Sequence, residues 1–138
     1  MTDQIEFNRK LIDEFRATRG DPEGLYAKRP IVLLTTTGAK SGQARTTPVM
    51  YVRDGERLLV IASNAGAPSH PHWYHNLAAH PNVTVEIGME TFSARAQTLS
   101  GADRQAQWEK IVQQYPFFKD HQAKITREIP IVELIQDD

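Results

Sequence analysis

Apolar positions in this chain follow two periods, and the switches between them divide it into elements. Between residues 5 and 19, Phe7, Leu11 and Phe15 recur at i, i+4 and i+8 with Ile12 beside them. That spacing puts one apolar stripe on a helix, which Gly20-Asp21-Pro22 ends. The other face mixes Arg9, Lys10, Arg16 and Arg19 with Asp3, Glu6, Asp13 and Glu14. A membrane-surface helix would carry a cationic excess, so packing on the domain or on a partner subunit is expected instead. From Ile31 the pattern becomes short runs of β-formers: Ile31–Thr36, Thr46–Arg53 and Arg57–Ala62 are predicted strands. Pro48 implies an edge or a bulge in the second of them. Asp54-Gly55 between two apolar runs predicts a hairpin, because both residue types tolerate positive φ.

Residues 70–79 read as a short helix stopped by Pro81, and 82–87 alternate as a half-buried strand. Gly88-Met89 is the expected turn into a strand from Thr91 to Gln97. Ser100 with Asp103 three residues on is a capping-box signature. It opens a helix whose apolar face is Trp108, Ile111, Val112 and Tyr115. A helical piece over 117–124 precedes a last strand, Ile129 to Ile135. About six strands with helices inserted between hairpins predict an α+β, mainly β, architecture: a small, mostly antiparallel barrel with flanking helices. The absence of a βαβ alternation removes the dinucleotide crevice of doubly wound folds. Residues 1–24 are expected to form the helix and a linker, and 25–138 the barrel domain.

Composition narrows the function classes. With 138 residues, 40% of them hydrophobic and 24% charged, the chain is an ordinary globular domain. Its 16 Lys and Arg against 17 Asp and Glu leave a net charge of -1, so no global positive field points to nucleic acid. Any basic site must be local. Cysteine is absent, which excludes disulfides, thiolate nucleophiles and sulfur-ligated zinc. The N-terminus lacks a basic region followed by an apolar run, and no apolar stretch approaches the ~20 residues of a membrane helix. A cytoplasmic protein without membrane insertion is expected.

Two segments could carry chemistry. The loop after the first strand holds Thr37, Gly38, Lys40, Ser41, Gly42 and Arg45. Glycines that expose backbone N–H groups, two cations and several hydroxyls suit a phosphate or carboxylate. A solvated hairpin with routine turn glycines explains the same residues as well. A Walker A loop is excluded, since its glycine positions fall on Leu34 and Ala39. The second segment, Ser63 to Asn76, runs from small residues into a helix start, where free N–H groups attract anions. Ser69 also reads as a plain N-cap there. His70, His72, His75 and His80 crowd together, but no H-E-x-x-H motif accompanies them, and no metal site is expected. Neither a G-x-S-x-G elbow nor a carboxylate pair stands out.

The run Leu34 to Arg45, then Pro48 and Asp54-Gly55, resembles the deazaflavin (F420)-dependent nitroreductase family. The likeness continues through Ala62 to Ala67, Pro71 to Leu77 and Pro81, and resumes at Tyr115-Pro116 and Ile129-Pro130. It implies a split β-barrel related to flavin-binding proteins, and coenzyme F420, an 8-hydroxy-5-deazaflavin with a phosphodiester and a glutamate tail. By the resemblance, Lys40, Ser41, Gln43 and Arg45 would hold the phosphate and tail. Pro48, Met50 and Tyr51 would lie along the ring, with Ser63, Asn64, Ala65 and Ala67 at the second loop. His72, Trp73 and Asn76 would complete the cofactor wall. The implied activity is hydride transfer to an electron-poor acceptor such as a quinone, an activated alkene or a nitroaromatic. Ser63, Tyr115, Phe118 and His121 would stand near that acceptor. Members of the family often carry Lys at the position of Asn64 and Tyr at those of Phe118 and His121. Loss of the phenols disfavours bicyclic nitroimidazoles more than quinones. A non-catalytic deazaflavin binder and a flavin mononucleotide reductase of the same fold are the rival readings, and pairing into a homodimer is expected of such barrels.

Overall fold

The computed structural model describes residues 9–13, 16–17, 30–88 and 90–137. Among them, β1 (Ile31–Thr37), β2 (Ala44–Asp54), β3 (Arg57–Ile61), β4 (Asn82–Ile87), β5 (Glu90–Thr98) and β6 (Ile131–Gln136) form the strands. They close a barrel in the order β1-β2-β3-β6-β5-β4, with every neighbouring pair antiparallel. Helix α1 (His72–Ala79) lies between β3 and β4, while α2 (Gly101–Gln114) and α3 (Phe117–Ala123) lie between β5 and β6.

Burial explains which strands read as continuous apolar runs. In β3, Leu58 and Val60 join Val32, Leu34, Val85 and Val132 in the barrel core. Their neighbours Leu59 and Ile61 join Ile111, Phe118 and Ile129 in a second core beneath α2 and α3. Both faces are covered, so both parities must be apolar. Strands β4 and β5 keep outer residues accessible, and their sequences alternate accordingly. Trp73 and Leu77, one turn apart on α1, belong to the barrel core and couple that helix to it.

Strand β2 is shared unevenly. Its residues from Ala44 to Met50 pair with β1, whereas Tyr51 to Asp54 pair with β3. Pro48 faces Leu33 of β1 in the half that has no second strand beside it. That is the edge position a proline tolerates, as expected from the sequence.

Several local expectations are corrected. The hairpin loop is Gly55-Glu56 rather than Asp54-Gly55, because Asp54 still pairs with Arg57 and only Gly55 takes a positive φ, 62°. Helix α1 begins at His72, two residues late, and its N-cap is Pro71 in an extended conformation. A residue before proline is pushed out of the α region, which keeps His70 from helix and removes Ser69 as a cap. Ser100 is the N-cap of α2 but makes no side-chain cap bond. The carboxylate of Asp103 instead accepts from Arg57 Nη1 and Nη2 at 3.0 and 2.8 Å, latching α2 to the β2–β3 hairpin. The last strand starts at Ile131, after Pro130.

Most of the predicted helix over 5–19, including Phe7 and Phe15, and the expected boundary near residue 24 lie outside the described residues. Residues 9–13 and 16–17 are helical, Leu11 is buried, and Ile12 packs on Ile31 and Leu33 of β1. Arg16 donates to both carboxylate oxygens of Glu86 at 3.1 and 2.9 Å. At these residues the stripe faces the barrel.

Candidate active site

A cavity of about 770 Å³ opens between the singly paired half of β2, the loop after β3, the start of α1 and the first turn of α3. That volume suits a small-molecule site. Pro48, Met50, Trp73, Phe117 and Phe118 supply apolar surface, and Ser63, His70, His72, His75 and His121 supply polar groups. Among the described residues no Asp, Glu, Lys or Arg lines it. Such an uncharged, partly aromatic wall favours a flat heteroaromatic ring over a compact ion.

The loop from Ser63 has an unusual backbone. Asn64, Ala65 and Gly66 take φ values of 50°, 53° and 81° in succession. Glycine adopts this region freely and Asn tolerates it, but Ala pays about 1–2 kcal/mol. Such strain persists only where surrounding contacts hold it. Asn64 Nδ2 donates to the Ser69 carbonyl at 3.0 Å and so closes the loop. At Gly66 a Cβ would come within 3.3 Å of His121 Cα, so glycine is also what lets α3 pack there.

Of the residues singled out by the sequence, Pro48, Met50, Ser63, Asn64, Ala65, His72, Trp73, Phe118 and His121 all line this cavity. Tyr51 does not: strand alternation turns it to the barrel core, opposite Met50. Ala67 is also outside the lining, and Tyr115 stands behind it, edge-on to Phe117 and Phe118 with ring centroids 6.0 and 6.4 Å apart. Lys40, Ser41 and Gln43 are exposed on the first loop and Arg45 is exposed at the start of β2, all beyond the cavity wall. That loop is internally bonded, Gly38 N to the Gln43 carbonyl at 2.8 Å and Gly42 N to the Gly38 carbonyl at 2.9 Å. Ser41 Oγ accepts from Gln43 N at 3.2 Å. Asn76 clamps the loop to α1 rather than facing the cavity: its Oδ1 accepts from Ala39 N at 3.0 Å and its Nδ2 donates to Thr36 Oγ1 at 3.1 Å.

Sequence reasoning missed Arg127, whose guanidinium lies against the second loop and donates to the carbonyls of Ala62, Ser63 and Ala67. Nothing in the run Lys124-Ile125-Thr126-Arg127-Glu128 marks it out from a solvated charge. Burial, then the charge of Arg127, then His75 hold the His70 pKa below its ordinary value. Burial and Lys124 do the same for His121, partly opposed by Asp120. The Nδ1 of His121 is buried and has no hydrogen-bond partner among the described residues. Both rings therefore stay neutral at pH 7. Neither His70, His72 nor His75 belongs to a group able to hold a metal ion among the described residues.

Comparison with known proteins bears on the family and the fold. The sequence pattern of the F420H(2)-dependent quinone reductase family matches residues 7–136. An F420H(2)-dependent quinone reductase of Mycobacterium tuberculosis is 40% identical over 108 residues, covering 76% of this chain and 72% of that protein. A solved F420-H2 dependent reductase, FDR-A, superposes with a TM-score of 0.69 at 41% identity over 77% of this chain and 94% of its own. A structure described as a domain-swapped dimer superposes with a TM-score of 0.71 at 37% identity, over 96% and 98% of the two chains. The match over nearly the whole sequence, on a closed barrel with a cavity beside β2, shows that this chain belongs to the F420H(2)-dependent quinone reductase family.

Proposed function

We propose that this protein is an F420H2-dependent oxidoreductase whose acceptor is a quinone. The observation that carries the reading is the uncharged, aromatic-walled cavity within reach of a cationic glycine loop, in a chain of this family. Coenzyme F420 joins a flat tricyclic ring to an anionic tail, and the two regions match those halves. Pro48, Met50 and Trp73 offer faces for the ring. Lys40 and Arg45, with Ser41 and Gln43, offer charge and hydrogen bonds to the phosphodiester and glutamates. When bound, the reduced coenzyme supplies a hydride from its C5 carbon.

The side chains do the rest by placement. Phe117 and Phe118 add aromatic surface on the α3 side of the cavity. Ser63, only 7% exposed, offers a hydroxyl to a carbonyl oxygen on which negative charge develops. His121, kept neutral by burial, stands on the α3 side of the same space.

The test offers the purified protein reduced coenzyme F420, reduced flavin mononucleotide and NADPH separately, each with menadione. Turnover is expected with the first alone. Oxidation of NADPH only, or binding of the coenzyme without its consumption, would reject the reading. We further infer a homodimer, supported by the related structure described as a domain-swapped dimer. Light scattering tests it: a mass of 15.6 kDa, that of one chain, would refute it.

A further inference from the structure

Every N–H of the Arg127 guanidinium is used beneath the cavity wall. Nε donates to the Ala67 carbonyl at 3.2 Å, and Nη2 donates to the Ser63 and Ala67 carbonyls at 2.8 and 3.0 Å. Nη1 donates to the Ala62 carbonyl at 3.2 Å and lies 3.0 Å from His70 Nδ1. A guanidinium can only donate, so His70 Nδ1 must be the acceptor and the ring proton must sit on Nε2. Ion pairs among the described residues do not include Arg127, so its charge stays unneutralised beside the loop. The arginine is itself held from α3: Gln122 Nε2 donates to the Arg127 carbonyl at 2.7 Å and Gln122 Oε1 accepts from Ile129 N at 2.9 Å. Arg127 thus links α3, through its own carbonyl, to the carbonyls flanking the strained Asn64-Ala65-Gly66 turn and to His70, two residues before α1.

We propose that Arg127 is a positioning residue of this site, which holds the left-handed Asn64-Ala65-Gly66 turn of the Ser63–His70 loop by its flanking carbonyls and fixes His70 as a neutral ring with its proton on Nε2. The loop then presents one preformed wall to what enters the cavity. That the entrant is the coenzyme rests on the function proposed above; the state of His70 does not. The groups facing the His70 ring are Arg127 from the segment before β6, and Tyr74 and His75 from α1, with ring centroids 4.8 and 5.7 Å away. Burial opposes an imidazolium there, and Arg127 and then His75 oppose it further.

Two measurements on Arg127→Met and Arg127→Lys decide the matter, with Arg57→Met as control. Arg57 pairs with Asp103 and Glu133 and takes no part in the cavity lining. The tautomer and titration of His70 are read by long-range nitrogen–proton NMR without any ligand. Affinity for oxidised coenzyme F420 is read by its fluorescence. In the wild type His70 is expected as the Nε2–H tautomer, titrating below 6.5. In Arg127→Met its midpoint should rise, the tautomers should mix, and coenzyme affinity should fall roughly tenfold, the scale of one hydrogen bond to a charged group. Arg127→Lys keeps the charge but not the planar fork, so it should recover part of both. Arg57→Met should alter neither. An unchanged His70 titration or unchanged affinity in folded Arg127→Met would overturn the proposal. A wild type that bound no coenzyme would instead reject the function above, and the His70 titration would still decide the role of Arg127.

Discussion

Asn76 joins two segments that are 37 and 40 residues away in sequence, using one amide. Its Oδ1 fixes the backbone of the cationic loop, and its Nδ2 satisfies the hydroxyl of Thr36, which is only 1% exposed. Asn76→Ala leaves that buried hydroxyl unpaired and releases Ala39. It should lower unfolding stability by about 1–3 kcal/mol in denaturant titration and weaken coenzyme binding as well. Intact binding with lowered stability would show that the loop needs no clamp. The sequence marked Asn76 as a site residue, yet as part of a cofactor wall. Which way an amide points depends on a partner from another element, and no local pattern contains that partner.

At the scale of elements, α1 and α2 behave differently from their signals. Helix α1 is short and its N-cap makes no side-chain bond, so its place rests on Trp73 and Leu77 in the barrel core. Trp73→Ala should destabilise the protein by about 3–5 kcal/mol, measured by chemical denaturation, and should open the cavity it lines. Helix α2 has the expected Ser100 at its start, but the hydroxyl is unused and Asp103 is committed to Arg57. Ser100→Ala should therefore change stability by less than about 0.5 kcal/mol, below the usual value of a cap. A loss near 1 kcal/mol or more would show a cap bond in solution. Capping boxes are local rules. Here a long-range ion pair took one member of the box.

The whole molecule is nearly neutral, yet its charges are unevenly placed. Lys40 and Arg45 are exposed, so their attraction for an anionic tail is screened by salt. Coenzyme affinity should fall as ionic strength rises, and Lys40→Ala or Arg45→Ala should reduce both the affinity and its salt dependence. No salt effect in the wild type would detach this loop from binding. Histidine protonation gives the molecule a second dependence. The folded-state pKa values of His70 and His121 lie below 6.5, the value expected of the unfolded chain. Between those values the unfolded state binds more protons, so acid favours unfolding. Their contribution is complete above pH 6.5 and is lost as pH falls through the folded values. Tm should decline below that pH, and the decline should be shallower in His121→Phe. An equal decline in that variant would assign the acid sensitivity elsewhere.

The order and type of the strands, the edge character around Pro48 and the helices after β3 and β5 were all legible from the chain alone. Each follows from side-chain period, proline and glycine, which act within a few residues of themselves. The family resemblance was legible for a related reason, since its motifs are contiguous runs. Which strands meet to close the barrel was not: β3 meets β6 across about seventy residues, as in the pairing of Leu59 with Glu133. The cavity is a product of that closure, because it forms where half of β2 is left without a second neighbour. Tyr51 was assigned to the ring, but strand parity and the core decided its side. Arg127 had no signal at all. Its acceptors, mostly carbonyls, lie about sixty residues upstream and converge only once the barrel has formed.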